Sequence, residues 1–361
     1  MKNNSISVLQ LSVIFITSSG LLNHVTVIPV LLNVTGKDSW ISVCLASLFC
    51  ILWLPVLRYT IRSAGGRPFV QWLHEHWGAG AWIILIPLLV TIFGMGATTL
   101  KETTTWTKIT YLPGTPLTVI VLTLILISLA AARSGLKALA VTAGILLPFI
   151  VLFGYFVMLG NIPHKDYTLL RPFLENGIRP ALQGVIYAAS GLSELFLVVM
   201  LQHRIKGNIG YSSLLILIVI LAGLTIGPLT GAIAEFGTPE AAKQRYPAYE
   251  QWRVVQIGRF IEHMDFLSIY QWLAGAFVRI SFSLWLIGET LSFWFNGRKR
   301  GVLFAASAGM LLFAISPLSD SSFFHLLTVY YLPASVSVLI GASIIARMYA
   351  LLFNVQGGAQ P

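Results

Sequence analysis

Charge is what this sequence has least of. Asp, Glu, Lys and Arg make up 10% of its 361 residues, whereas an average soluble chain carries roughly 25%. A water-soluble protein of this length could not cover its surface with so few charges. Soluble enzymes and soluble nucleic-acid binders are excluded on that ground. Cysteine is nearly absent as well. Cys44 and Cys50, the two present, lie six residues apart in one apolar stretch, and on a helix that spacing turns them to different faces, so they cannot bridge. Their plain reading is inert, lipid-facing thiols. Clustered metal ligands are missing: the run His74-Glu75-His76 lacks the i, i+4 histidine pair of a zinc helix, and no metal is expected. The chain also shows no nucleophile–base pair, phosphate loop or paired catalytic carboxylates, so neither an enzyme nor a cofactor is expected.

What is there is apolar: 56% of residues are hydrophobic, and they come in long runs. A membrane span needs about 20 apolar residues. Ten segments qualify, approximately 6–33, 39–61, 80–100, 114–132, 136–160, 180–202, 209–234, 265–296, 301–317 and 324–353. None alternates, which excludes a membrane β-barrel. The expectation is an all-α integral membrane protein. Lys2 precedes the first run as in a secretory signal, but the run is too long for one and is read as a retained span. Residues 66–78, with their aromatics, are too short to cross and suit a helix lying in the interface.

The net charge of +10 fits lysines and arginines that hold loops on the cytoplasmic side rather than a nucleic-acid partner. The tightest turns, around Arg133 and Lys137, Arg204 and Lys206, and Arg298 to Arg300, are short and basic, which places both termini in the cytoplasm. The long polar stretches 161–179 and 235–264 then lie on the opposite face, and the second has room for a short amphipathic helix. Such loops cover an entrance, meet a partner or simply connect.

Ten spans divide into five plus five, which inverts the second half relative to the first. The chain then reads as one transporter-like domain over 1–361, with repeats at about 6–160 and 180–353. Transporters of this kind place their site at the midplane, where corresponding helices are broken. Spans one and six do carry helix-weakening clusters at their centres, Thr17-Ser18-Ser19-Gly20 and Ala189-Ser190-Gly191. Glycine disfavours helix, and serine hydroxyls compete for backbone hydrogen bonds. A break would bare N–H groups for a carboxylate and carbonyls for an ammonium or small cation, which suits an amino acid or similar zwitterion. Close helix packing is the rival explanation for these small residues.

Ionisable groups inside spans are costly and tend to be functional. Glu194, three residues after Gly191, could titrate with a coupling proton, pair with a cation or satisfy the broken backbone. Arg279 and Glu289 share a span but lie about 15 Å apart along it, so each needs a partner on another helix. Asn23 and His24 are weaker candidates. Gly94, Gly96 and Thr98 in span three and Tyr270 in span eight are further cavity-facing positions, with packing the simpler account of the two glycines.

Several short strings occur together in one order. Lys37-Asp38-Ser39-Trp40-Ile41-Ser42 opens span two, and Leu112-Pro113-Gly114-Thr115-Pro116 precedes span four. Leu170-Arg171-Pro172 and Glu175-Asn176-Gly177-Ile178-Arg179-Pro180 lead into span six, Glu194 follows the sixth-span cluster, and Phe260-Ile261-Glu262-His263-Met264-Asp265 enters span eight. In these the chain resembles the B subunit of bacterial spore germinant receptors, the endospore germination permeases of the amino acid–polyamine–organocation transporter superfamily. It departs from that pattern at His263, where arginine is more usual, and in a first-span cluster not led by glycine. The resemblance implies a LeuT-like ten-helix fold with helices one and six broken, in the inner membrane of a spore, in contact with membrane lipid. It further implies a small germinant, typically an amino acid, bound around Ser19, Gly20, Ser190 and Gly191, and action with an A subunit and a lipoprotein C subunit. The working function is a germinant sensor, with an ion- or proton-coupled amino acid permease as the alternative.

Overall fold

The structure is a computed structural model and describes residues 5–256, 263–295 and 299–352. Helix dominates it, as it must where no water is present to satisfy free backbone groups. The first span runs through α1 (Val8–Leu21), a π-turn at Leu22–Thr26 and α2 (Val27–Thr35). Gly36, at φ 58°, reverses the chain into α3 (Ser39–Ser63). A short helix, α4 (Phe69–Trp77), follows where an interfacial helix was expected, and it buries Phe69, Val70, Trp72 and Leu73 in the protein. Next come α5 (Ala81–Thr110), α6 (Leu117–Ser134) and α7 (Leu136–Gly160). Span six is α8 (Arg179–Ser193), a 3₁₀ turn at Glu194–Phe196 and α9 (Leu197–Leu201). Then α10 (Tyr211–Phe236) leads to two short helices, α11 (Thr238–Ala241) and α12 (Pro247–Val254). Spans eight and nine are α13 (Leu267–Ser292) and α14 (Lys299–Ala314). The last is α15 (Asp320–His325), a second π-turn at Leu326–Tyr331 and α16 (Leu332–Leu352).

Among the described residues, eight continuous helical stretches are long and apolar enough to cross a membrane; Val8–Ser63, the first, crosses twice because it reverses at Gly36, and α14 adds a shorter crossing. The third span outruns its expected end at residue 100. Lys101 and Glu102 end the hydropathy run without ending the helix, because both are paired: Lys101 Nζ donates to the Ser316 carbonyl (2.9 Å), and Glu102 is held by Thr26 and Arg245.

At the centre stands α13, buried almost continuously from Ala274 to Gly288 and packed on α1, α5, α6, α7 and α14. The outer helices show the reverse. Ile145, Phe149, Leu152 and Leu159 of α7 are exposed, an arrangement that only a hydrocarbon solvent allows. Cys44 faces outward as expected, but Cys50 is buried within the bundle. Close approach depends on glycine at one seam in particular: a Cβ on Gly184 of α8 would lie 2.5 Å from Thr35 Cγ2 and 2.8 Å from Ser42 Cβ.

The interruptions in spans one and six take a different form from the one expected. Gly20 and Gly191 lie inside α-helix, and the backbone stays helical beyond them. The departures begin at Leu22, as a π-turn, and at Glu194, as a 3₁₀ turn. Each π-turn is followed within three residues by a proline, Pro29 or Pro333. Proline has no N–H to return to the carbonyl four residues back, and at these two places the ladder widens, whereas Pro55, Pro87, Pro148 and Pro228 lie within helices that stay α throughout. The 3₁₀ turn has the opposite cause. Ser190 Oγ donates to the Tyr187 carbonyl (2.7 Å) and Ser193 Oγ to the Ser190 carbonyl (2.9 Å), drawing the backbone into a tighter i, i+3 pattern. Neither helix is unwound, so bare peptide dipoles are not what these positions offer.

Candidate functional site at mid-span

One ion pair occupies the place where the interrupted spans meet. Arg279 of α13 and Glu194 at the end of α8 are 1% and 4% exposed, so neither charge is solvated by water. Their forks face each other: Arg279 Nη2 donates to Glu194 Oε1 (2.5 Å) and Nη1 to Oε2 (2.8 Å). Burying two charges costs several kcal/mol each unless geometry and extra hydrogen bonds offset it, and here they do. Ser19 Oγ donates to Glu194 Oε2 (2.6 Å), Arg279 Nη1 donates to the Ser18 carbonyl (3.2 Å), and Nε donates to Thr99 Oγ1 (3.1 Å). Four spans are thereby joined through one carboxylate and one guanidinium. Next to them, Asn23 in the π-turn is fully buried against Gly191, where a Cβ would lie 2.6 Å from the Asn23 Cγ. Its amide oxygen and nitrogen have no hydrogen-bond partner among the described residues, nor does Ser18 Oγ.

Two further charge networks lie toward the ends of the bundle. At the end that carries the long loops, Arg245, between α11 and α12, donates through Nη2 to Glu102 Oε1 (3.0 Å) and through Nε to Asp320 Oδ2 (3.2 Å). Thr26 Oγ1 donates to the other Glu102 oxygen (2.7 Å), and the guanidinium lies over the Phe324 ring, 4.9 Å from its centroid. Burial opposes the Arg245 charge, but Glu102 and its neighbours outweigh burial and hold the group above the usual arginine range. Spans one, three and ten are thus tied to the loop. A cavity of about 630 Å³ opens at this end, lined in part by Tyr249, Arg253, His263 and Asp265.

At the opposite end, Glu289 accepts from Arg204 Nε (2.9 Å) and Lys299 Nζ (2.9 Å), with His203 Nε2 3.4 Å away. Beside it, two short strands, β1 (Ile6–Ser7) and β2 (Ile205–Lys206), pair in parallel and join the start of span one to the end of span six. Arg279 and Glu289 therefore each find a partner on another element, as their separation requires.

The residues singled out in the sequence divide into three groups. Ser18, Ser19 and Glu194 belong to the central pair or touch it. Gly20, Ala189, Ser190 and Gly191 form the close-packed wall behind it: a Cβ on Gly20 would lie 3.0 Å from Leu224 Cδ1, and Ala189 is buried. Thr17, Gly94, Thr98 and Tyr270 point elsewhere. Thr17 Oγ1 donates to the Val13 carbonyl and Thr98 Oγ1 to the Gly94 carbonyl. Gly94 admits the Tyr331 ring and Gly96 admits Met310, both packing roles. Tyr270 packs edge-on against Phe149 and Phe153. His24 places Nδ1 3.3 Å from the Leu224 carbonyl. Sequence reasoning missed Thr99, the pairing of Arg279 with Glu194 and the role of Arg245. Of the string that enters span eight, Phe260, Ile261 and Glu262 lie outside the described residues.

Comparison with known proteins places this geometry in a family. Residues 5–323 match the family model described as spore germination protein. Spore germination protein XB of Bacillus anthracis is 41% identical over 327 residues, 90% of this chain and 92% of that one. Putative spore germination protein YfkT of Bacillus subtilis (strain 168) is 26% identical over 73% of this chain and 74% of its own. Spore germination protein KB of the same strain is 21% identical over 79% and 78%. Among solved structures, Mhp1, a nucleobase-cation-symport-1 family transporter in a closed conformation with bromovinylhydantoin bound, shares the fold. It superposes with a TM-score of 0.63 at 14% identity, covering 98% of this chain and 92% of that one. With the ordered strings, the LeuT-like transporter fold and a match across most of its length, this multi-pass membrane chain belongs to the spore germination protein (spore permease) family.

Proposed function

We propose that the chain is the membrane-embedded, germinant-binding subunit of a spore germination receptor, sensing a small amino-acid-like molecule in a pocket between spans one, three, six and eight. The observation that carries this reading is the buried Glu194–Arg279 pair, set at mid-span between a charge network at either end. A polar centre with separate ties above and below is what a fold needs to exchange two packings around one site. A ligand shifts that exchange only by binding one packing more tightly than the other.

In this proposal, repeats at about 6–160 and 180–353 form one transporter-like domain. Both termini are cytoplasmic in the spore's inner membrane, so the Arg245 network faces outward and the Glu289 network inward. The chain works with an A subunit and a lipoprotein C subunit. A coupled permease is the second reading, favoured by an acidic side chain at mid-span, the usual mark of a proton relay.

Germination of spores that lack this gene, followed by loss of optical density with each amino acid in turn, tests the first reading. The response to one germinant should vanish and return on complementation. Uptake of that labelled germinant into proteoliposomes holding the purified chain would move the conclusion to the permease.

A further inference from the structure

We infer that the Glu194–Arg279 pair is itself the ligand seat, filled in the empty protein by its own two side chains: an incoming zwitterion sets its carboxylate on Arg279 and its ammonium on Glu194, and so parts span six from span eight. The inference rests on the proposed function and deepens it, because the pair dictates which ligands can enter.

Charge balance at a buried place decides what can enter. Both side chains are almost wholly buried and satisfy each other through two short hydrogen bonds. A neutral molecule that separated them would leave two bare charges. An anion would satisfy Arg279 and strand Glu194; a cation would do the reverse. Only a molecule that brings both charges restores both pairs. Arg279 is built for the carboxylate half, since its planar fork matches two oxygens at once. Its remaining bonds, to Thr99 Oγ1 and the Ser18 carbonyl, hold it in place when Glu194 leaves. Glu194 suits the ammonium half and keeps Ser19 as a tether.

A second observation points to a guest at the same spot. Asn23 follows Ser19 by four residues and so shares its helix face. Its amide is fully buried against Gly191, three residues before Glu194, with neither end partnered among the described residues. Buried polar groups are rarely left so. A carbonyl and an N–H side by side serve a molecule that carries both an ammonium and a carboxylate.

The test uses the purified full-length chain in detergent and calorimetric titration with each of the twenty standard L-amino acids. The one that binds is then compared with its amide, its deaminated acid and its decarboxylated amine. Each analogue lacks one charge and should bind at least about a hundredfold more weakly, the loss that follows when a buried charge is left unpaired. The double variant Glu194→Gln/Arg279→Gln should lose the amino acid by a similar factor. Should that variant fail to fold, Arg279→Lys keeps the charge without the fork; it should weaken binding at least about tenfold and still demand both ligand charges. An amide that binds as well as the amino acid, or a folded double variant within threefold of the wild type, overturns the inference while the proposed function stands. If none of the twenty binds the wild type, both fall.

Discussion

Replacing one member of the central pair should cost far more than replacing both. Glu194→Gln leaves the Arg279 guanidinium, 1% exposed, without the carboxylate it is paired to, and Glu102, farther off, is held by Arg245. Arg279→Gln leaves the carboxylate in the same position. Stranding one charge of a buried pair costs about 3–5 kcal/mol, whereas removing both is often close to neutral. The glutamine pair can still hydrogen-bond to each other, to Ser19 and to Thr99. For a chain of this length the singles should therefore melt about 4–7 °C below the wild type, and the double variant close to it. Two single losses of that size set against a double variant near zero put the interaction energy from the cycle at about 6 kcal/mol or more, above the range usual for residues in contact. The assay is thermal unfolding of the purified protein in one detergent, with the four variants side by side. Two small and additive shifts, each under about 1 kcal/mol, would mean that the side chains do not face each other, and the account of the site would fail.

Three other outcomes follow from the geometry. Gly184→Ala should lower stability by about 1–3 kcal/mol, because the added Cβ meets Ser42 and Thr35 close to their own backbones and neither can turn away; an unchanged melting temperature would place α8 farther from α3. Asn23→Leu should raise stability by about 1–3 kcal/mol by removing an unpaired buried amide, while spores carrying it respond less well to the germinant; a fall in melting temperature would show that the amide is partnered. Arg245→Gln should free the loop from Glu102 and Asp320, so hydrogen exchange at Tyr246 to Val254 should quicken at least about tenfold while α13 stays protected; equal rates would show that the network does not hold the loop.

Much of the fold is legible in the sequence because a hydrocarbon solvent leaves few options. A run such as Leu136 to Gly160 can only be a helix there, and a turn such as Arg133 to Lys137 can only lie outside. The site is less legible, for reasons that can be named. Hydropathy marked Glu194 and Arg279 as costly, but they stand 85 residues apart, and nothing along one chain says that two distant faces meet. Thr98 and Thr99 differ by one residue and so by about 100° around the helix; a one-dimensional pattern has no reason to choose the second. Ser18-Ser19-Gly20 drew attention as a weak point, yet the ladder fails one turn later, where Pro29 withholds its N–H. Proline alone does not mark such a place, since Pro55, Pro87, Pro148 and Pro228 lie inside continuous helices. Arg245 sits in a stretch that reads as a connector, and its partners, Glu102 and Asp320, come from two different spans.

The central claim is that a ligand takes the place of Arg279 on the Glu194 carboxylate. Infrared difference spectra of the purified chain, with and without the amino acid that binds, report on that carboxylate directly. The account predicts a shifted carboxylate stretch on ligand addition, sensitive to ¹³C-labelled glutamate and abolished in Glu194→Gln. A saturating ligand that leaves the stretch unchanged, or a shift that survives in Glu194→Gln, would contradict it.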